Sequence, residues 1–307
     1  MVELFVIIAG LIVFEVVNSV DNAIVNAHML RTMSLRARRW FLLWGILTAV
    51  VLVRGLIPLL IVWVTTPGIG IVQALQATFG NDPAAKEAMD ASAYILLVAG
   101  GMFLVLLYLH WLFLEKKDPF FVPDKLVKKE YGIWFFALAA LLLVAVLWFA
   151  RETPLAMLGA AIGNAVFFII YGFREQAERQ EHAIESTGAS DLSKLLFLEV
   201  LDTSFSIDGV IGAFAFTTNV LFIFIGNGIG ALVVRDLTIR GIEQVAKYRW
   251  LKNGAMTSIG LLGLFMILKS FGMHIPEWLP TLTTVGMVGF TFYVSHRDLK
   301  KNGVQVA

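Results

Sequence analysis

Long apolar runs dominate the pattern of hydrophobic and polar positions along this 307-residue chain. A helix of about 17 to 25 apolar residues matches the hydrocarbon thickness of a bilayer. Nine segments of this kind, which we number spans 1 to 9, lie at residues 4–29, 40–64, 91–114, 133–150, 155–173, 194–217, 220–239, 254–272 and 278–295. Charged residues make up only 15% of the chain, against about 25% in soluble proteins. The predicted fold is all-α, a polytopic transmembrane helical bundle of about nine helices.

Basic residues are distributed unevenly between the connections. Four arginines lie between spans 1 and 2 and five lysines between spans 3 and 4, whereas residues 66–90 contain only Lys86. Positive residues concentrate on the cytoplasmic side of membrane proteins. We therefore expect a multi-pass protein of the cell (inner) membrane, with its N-terminus outside and its C-terminus in the cytoplasm. The charged segment 174–182 is expected to be a solvated extension of span 5.

Two stretches of the chain nearly repeat each other. Residues 14–22 have the sequence Phe-Glu-Val-Val-Asn-Ser-Val-Asp-Asn, and residues 198–209 have Leu-Glu-Val-Leu-Asp-Thr-Ser-Phe-Ser-Ile-Asp-Gly. In the following spans, Gly45, Arg54 and Leu56 recur at the same offsets as Gly226, Arg235 and Leu237. A weaker match relates residues 101–106 to residues 263–268.

The second copy begins five spans after the first, in span 6 against span 1, and this odd offset makes the two run in opposite directions through the membrane. The sequence therefore predicts an inverted repeat. Its parts are a first transmembrane repeat at 1–150, a linking helix and cytoplasmic loop at 151–193, and a second, inverted repeat at 194–307.

The repeated stretches place carboxylates inside the membrane. Five acids lie deep within predicted spans, namely Glu15, Asp21, Glu199, Asp202 and Asp208, and Asp236 is a possible sixth nearer the cytoplasmic edge. A carboxylate at mid-membrane depth is unfavourable by about 2.5 to 3.5 kcal/mol, so the five together cost on the order of 10 kcal/mol. On an ideal helix, Asn18 and Asn22 share a polar stripe with Glu15. We expect Arg54 and Arg235 to act as fixed counter-charges to these acids.

Span 6 carries its acids on two sides. Asp202 and Ser206 share the face of Glu199, but Asp208 is nine residues further along and would point the opposite way. Aligning Asp208 with Asp21 of the first copy needs three extra residues. We therefore predict a helix break at 203–206, which would bring all five acids to one cavity near the bilayer centre.

The predicted ligands are carboxylates and asparagine amides, and the chain contains no cysteine. Oxygen donors of this kind suit Mn²⁺, Ca²⁺ or Mg²⁺, whereas Cu⁺ and Zn²⁺ favour sulfur or imidazole. The candidate metal ligands are Glu15, Asn18, Asp21, Asn22, Glu199, Asp202 and Asp208.

These motifs resemble those of the TerC family of bacterial integral membrane proteins. Its pattern is a Glu-containing first helix ending in Ser-Val-Asp-Asn, and a later Glu-x-x-Asp-x-x-Phe-(Ala/Ser)-x-Asp. The matching residues here are Glu15, Ser19, Val20, Asp21, Asn22, Glu199, Asp202, Phe205, Ser206 and Asp208, with Asn219, Arg235 and Leu237 in the following helix. Gly209 and Val210 depart from the Ser-Ile-Pro of many members.

TerC members are linked to tellurite resistance and to manganese efflux or metal supply to secreted enzymes. The resemblance implies a similar role here, with Asn219 and Ser206 in supporting positions. We expect a secondary transporter that exports Mn²⁺, and not an enzyme. Its expected partners are the lipid bilayer, the metal ion, protons as counter-ion and further copies of the chain as a homo-oligomer, with no nucleic acid.

Two alternatives remain open. A membrane scaffold for a metal or tellurite stress-resistance complex would not need the membrane acids. An intramembrane aspartyl hydrolase would pair Asp21 with Asp208, although the Gly-x-Gly-Asp signature of such proteases is missing.

Overall fold

The computed structural model describes residues 2–45, 48, 54–66, 68, 70–79, 83–127, 131–186, 190–240, 245 and 247–301. Within these ranges the chain forms thirteen α-helices and no β-strand, which confirms the all-α prediction. The helices are α1 (Val2–Asn18), α2 (Val20–Arg31), α3 (Leu35–Trp40), α4 (Ile57–Thr65), α5 (Ile71–Phe79), α6 (Pro83–Leu114), α7 (Val122–Leu126), α8 (Ile133–Phe149), α9 (Pro154–Ser186), α10 (Asp191–Ala213), α11 (Val220–Arg240), α12 (Leu251–Ser270) and α13 (Trp278–Lys301). Lys128, Lys129 and most of 46–53 in span 2 lie outside the described residues.

Several helices are long and apolar enough to cross a membrane. In the described part of the chain, four meet this condition on their own: Ala91–Leu114 of α6, Pro154–Gln176 of α9, Val220–Ile239 of α11 and Leu251–Ser270 of α12. The bent pair α1–α2 is a fifth if it counts as one span. Helices occupy the described parts of all nine predicted spans, but the others are shorter or more polar. The chain is thus a multi-pass helical membrane protein.

The first span is broken near Ser19. α1 ends at Asn18, α2 begins at Val20, and the two axes differ by 48°. The Ser19 hydroxyl donates to Glu15 Oε1 at 2.8 Å, so the side chain at the bend bonds to the acid one turn earlier. Helix kinks have identifiable local causes, and here the kink coincides with the polar side chain of Ser19.

The break predicted at 203–206 is wrong, because α10 is continuous through these residues. The hydroxyl of Thr203 donates to the carbonyl of Glu199 at 2.8 Å, and that of Ser204 to the carbonyl of Val200 at 2.9 Å. Such bonds to the preceding turn satisfy the hydroxyls inside a helix without ending it. No proline stands in this stretch to remove a backbone donor.

Glycines allow the membrane helices to approach closely, as in small-residue packing. A Cβ at Gly163 of α9 would meet the Ala99 backbone of α6. A Cβ at Gly159 would lie 2.9 Å from the Ile95 carbonyl oxygen. Residues 96–113 of α6 form most of the apolar core together with α9 and α12. Gly159 and Gly163 therefore permit the close approach of α9 to α6.

Gly101 of α6 and Gly263 of α12 contact each other reciprocally. A Cβ at Gly101 would lie 2.7 Å from the Gly263 carbonyl oxygen, and one at Gly263 would lie 2.9 Å from the Gly101 carbonyl oxygen. Equivalent residues of two inverted copies meet where the two-fold axis passes between them. This contact agrees with the weaker sequence match between residues 101–106 and 263–268. The boundaries of the repeat stay a prediction.

Candidate ion site

A buried ion pair joins α1 to the segment before α4. Glu15 is 1% exposed and Arg54 is 4% exposed. Glu15 Oε1 accepts hydrogen bonds from Arg54 Nε at 3.1 Å, from Arg54 Nη2 and from Ser19 Oγ. Arg54 therefore pairs with one of the five acids, and its role as a fixed counter-charge stays a prediction. Leaving either group alone at this depth would strand an uncompensated charge.

Two glycines form a cradle around Glu15. A Cβ at Gly209 of α10 would lie 2.6 Å from Glu15 Oε2, and a Cβ at Gly230 of α11 would lie 2.6 Å from Glu15 Cβ. Asn227 of α11 is fully buried, and its Nδ2 donates to the Gly209 carbonyl at 3.2 Å. Glu15 Oε2 itself has no hydrogen-bond donor. Helices α1, α10 and α11 thus meet around Glu15 Oε2, to which no described residue donates a hydrogen bond.

Asparagines of α2 face Asp202 of α10. Asn22 and Asn26 are both buried, and Asn22 Nδ2 donates to Asp202 Oδ1. The Oδ1 atoms of both amides are buried without a donor. Asp202 is also close enough to Arg54 for the two charges to interact. Asn22, which was predicted to share a polar stripe with Glu15, lies after the helix bend and bonds to Asp202.

Glu199 of α10 lies against the end of the π-helical turn Phe41–Gly45. Its Oε1 occupies the space that a Cβ at Gly45 would need, and it is buried with no donor. Its charge interacts with that of Asp202. Ser206 is buried on the same helix, and its hydroxyl is also unsatisfied. Glu15, Asp202 and Glu199, with Asn22 and Asn26, form what we call the α10 acidic site.

Asp208 points away from this site, so the prediction that all five acids face one cavity is wrong. It pairs with Arg174 of α9, with 2.5 Å between Asp208 Oδ2 and Arg174 Nη2. Arg174 also donates to the Ser204 carbonyl at 3.1 Å and lies 4.5 Å over the Phe205 ring. Because α10 is unbroken, nine residues turn Asp208 half a revolution away from Glu199.

Arg174 was missed by sequence reasoning, which assigned it to a solvated extension. Its side chain is only 15% exposed, and it is the counter-charge of Asp208. It directly follows the apolar run of span 5, where a basic residue is expected at the membrane edge. The only available signal was its position three residues after Tyr171, on the face that packs inward.

Asp21 lies at the mouth of a cavity of about 220 Å³, together with Asn18, Tyr248 and Lys252. It is 48% exposed, and its Oδ2 lies 2.7 Å from Lys252 Nζ. Lys252 Nζ also lies 2.7 Å from Glu115 Oε2. Asp21 is therefore separated from the α10 acidic site, whereas Asn18 also reaches towards Glu15, since its Nδ2 would lie 3.5 Å from a Cβ at Gly209.

Glu115 follows the membrane-spanning part of α6 and contacts His110, whose Nδ1 lies 3.7 Å from Glu115 Oε1. Burial alone would raise the pKa of Glu115. The contact with His110 and the ammonium of Lys252 outweigh burial and lower this pKa to about 2. The carboxylate therefore stays ionised at any physiological pH.

Two predicted supporting residues do not support this site. Arg235 is half-buried on α11, and it has no hydrogen bond or ion pair with the part of the chain that the structure describes. Asn219 is exposed, and its Oδ1 accepts from the backbone N–H of Leu221 at 3.0 Å and of Phe222 at 3.3 Å. It is therefore the N-cap of α11.

No three His, Asp or Glu side chains among the described residues converge closely enough to hold a metal ion. In this conformation Glu15 is engaged by Arg54, and Asp202 by Asn22. The α10 acidic site nevertheless contains buried acceptor oxygens without donors on α1, α2 and α10. Such atoms favour a cation or a proton.

The chain belongs to the DUF475 family, described as "Protein of unknown function (DUF475)", whose profile matches residues 20–302. It is also similar to the "Uncharacterized membrane protein YceF" of Bacillus subtilis (strain 168), with 24% identity over 107 residues. That alignment covers 35% of this chain and 42% of the relative, less than half the length of either. No solved structure matches.

Proposed function

We propose that this DUF475-family membrane protein is a secondary transporter of a hard divalent cation. The cation would bind at the α10 acidic site, between Glu15, Asp202 and Glu199. Mn²⁺ is the first ion to test, because the site has oxygen ligands and because the motifs resemble those of TerC proteins. Ca²⁺ and Mg²⁺ share the same ligand preference.

The observation that carries the proposal is the set of unsatisfied oxygens. Within the part of the chain that the structure describes, four buried acceptors of the site have no donor: Glu15 Oε2, Glu199 Oε1, Asn22 Oδ1 and Asn26 Oδ1. Each unpaired buried polar group costs about 1 to 3 kcal/mol. Their total cost is therefore several kcal/mol. A bound cation would satisfy them together.

The charge of the site matches a divalent ion. Glu15, Asp202 and Glu199 contribute −3 when ionised, and Arg54 contributes +1, which leaves −2. An ion of charge +2 would neutralise this remainder in a low-dielectric interior. Arg54 would hold Glu15 while no cation is bound, and entry of the cation would compete with the guanidinium for the same carboxylate.

The hydrolase alternative requires two carboxylates to share one proton. Asp21 and Asp208 each have a separate cationic partner, Lys252 and Arg174, on different helices. This separation favours transport over hydrolysis. A scaffold role would predict that the membrane acids are dispensable for Mn²⁺ binding, and the following experiment distinguishes it from transport.

The test is calorimetric Mn²⁺ titration and Mn²⁺ uptake into proteoliposomes. Asp202→Asn removes one ligand charge without changing size, so we expect affinity to fall at least tenfold. The melting temperature should be equal or higher, because the change removes an insertion penalty. Glu152→Gln, in an exposed loop, is the matched control and should bind like the parent. Unchanged binding in Asp202→Asn would contradict the site.

The same titration tests Asp21 and Asp208, which the sequence predicts as ligands. Their separate ion pairs lead us to expect that Asp21→Asn retains parent affinity. A tenfold loss in that variant would mean that the cation site forms only after Asp21 leaves Lys252.

A further inference from the structure

A second group of charged residues lies on a different face of α10 from the acidic site. It contains Asp208 and Arg174, and it extends to His110, Glu115 and Lys252 at the ends of α6 and α12. Both Glu115 and His110 are near enough to Asp208 for their charges to act on it. Asp208 Oδ1 and Arg174 Nε are buried and have no hydrogen-bond partner among the described residues, so this group is not a closed structural network.

Successive contacts connect this group to the cavity of about 220 Å³ beside Asp21. Asp21 Oδ2 lies 2.7 Å from Lys252 Nζ, which lies 2.7 Å from Glu115 Oε2. Glu115 Oε1 lies 3.7 Å from His110 Nδ1. The chain of contacts therefore runs from a cavity at the edge of the bundle to an imidazole inside it.

His110 is enclosed by residues of four other elements. Phe135 of α8 and Tyr171 of α9 have ring centroids 5.7 Å and 4.6 Å from the imidazole. The charged and titratable groups that face it are Glu115 after α6, Tyr171 and Arg174 of α9, Asp208 of α10 and Lys252 of α12. Its side chain is 15% exposed.

The charges of this group do not sum to zero when His110 is neutral. Asp21, Glu115 and Asp208 contribute −3, and Lys252 and Arg174 contribute +2, which leaves −1. The nearby charges of Lys117 and Asp124 cancel each other. The group is neutral when His110 carries a proton, and charged when it does not. Histidine is the side chain whose ordinary titration lies near physiological pH.

We propose that His110 is the proton-binding site of a proton–cation exchange, with the contacts of Asp21, Lys252 and Glu115 placing it next to the cavity. This inference rests on the proposed transport function and adds the coupling ion and its residue. A proton taken up from one side of the membrane binds a ring nitrogen of His110 and is released to the other side in exchange for the cation. The unbroken α10 carries Asp202 of the cation site and Asp208 beside His110, so occupancy of one site acts on the other.

The test measures Mn²⁺ accumulation in proteoliposomes under an imposed pH difference. If one proton exchanges per cation, each pH unit across the membrane changes the steady-state accumulation about tenfold. His110→Gln and His110→Lys should both lose this dependence while Mn²⁺ still moves down its own gradient. His110→Lys keeps the group neutral, so we expect it to fold like the parent. His274→Gln, in an exposed position, is the matched control and should keep the tenfold dependence.

Parent-like pH dependence in either variant would overturn the proposal, and so would accumulation in the parent that ignores the pH difference. A His110→Lys variant that does not fold, or that folds and moves no Mn²⁺, would contradict the charge argument. Absence of any Mn²⁺ movement in the parent would instead refute the transport function itself. The two failures are therefore distinguishable.

Discussion

Replacing Arg174 by methionine tests whether this residue is an internal counter-charge. Methionine keeps the length and apolar bulk of the side chain but removes the guanidinium. The ion pair with Asp208 is 15% and 6% exposed on its two sides, and the change would leave Asp208 as an uncompensated charge. Removing one partner of a buried pair costs about 3 to 5 kcal/mol. Loss of the bond to the Ser204 carbonyl adds about 1 kcal/mol.

The assay is the free energy of unfolding in detergent, measured by denaturant titration for the parent, the single variants and the double variant. We expect Arg174→Met to be about 3 kcal/mol less stable than the parent. This is the lower end of the range of about 3 to 5 kcal/mol for a broken buried ion pair, because the Arg174 side chain is slightly exposed. Adding Asp208→Asn should recover about 2 kcal/mol, because neither charge is then stranded. Arg36→Met, at an exposed arginine, is the control and should stay within about 0.5 kcal/mol.

Equal stability of Arg174→Met and Arg36→Met would refute the counter-charge role. A double variant that is no more stable than Arg174→Met would also refute it, because the loss would then come from packing and not from charge.

Two further predictions concern Glu15 and Glu115. Gly209→Ala should lower the melting temperature and weaken cation binding, because its Cβ would lie 2.6 Å from Glu15 Oε2. Gly172→Ala is the control; it has open space around it, so its melting temperature should be unchanged or slightly higher. The pKa of Glu115 falls from 4.5 to about 2 on folding, so its stabilisation is present above about pH 4.5 and is lost as the pH falls towards 2. With 34% exposure, we expect about 1 kcal/mol from acid titration of unfolding, and Glu115→Gln should lose this contribution.

The positions of the helices could be predicted because an apolar run long enough to cross a bilayer has few alternatives to a helix. The partnership of Arg54 could also be predicted, since an arginine inside an apolar span needs an acid. Its partner could not, because five acids were available in the sequence and only packing selects Glu15. The glycines at 209 and 230 make that selection by admitting the carboxylate between two helices.

The errors have a common origin in the alignment of the two copies. Equating Asp208 with Asp21 required a break in span 6, but hydroxyl bonds to the preceding turn keep α10 intact, and the bend occurs at Ser19 in the other copy. Arg235 was matched to Arg54 by offset and has no equivalent ion pair. The copies have thus diverged in helix geometry while keeping their residues, and residue identity alone does not show that.

The continuity of α10 has a mechanical consequence. Asp202 and Asp208 are six residues apart, about 9 Å along the axis of one rigid helix. A hinge between them would let each carboxylate move by itself. Without one, any rotation or sliding of α10 displaces both acids together, so a movement at the Asp208–Arg174 ion pair also moves the Asp202 carboxylate, which accepts a hydrogen bond from Asn22. Breaking the Asp208–Arg174 ion pair would therefore allow α10 to move, and Asp202 would move with it.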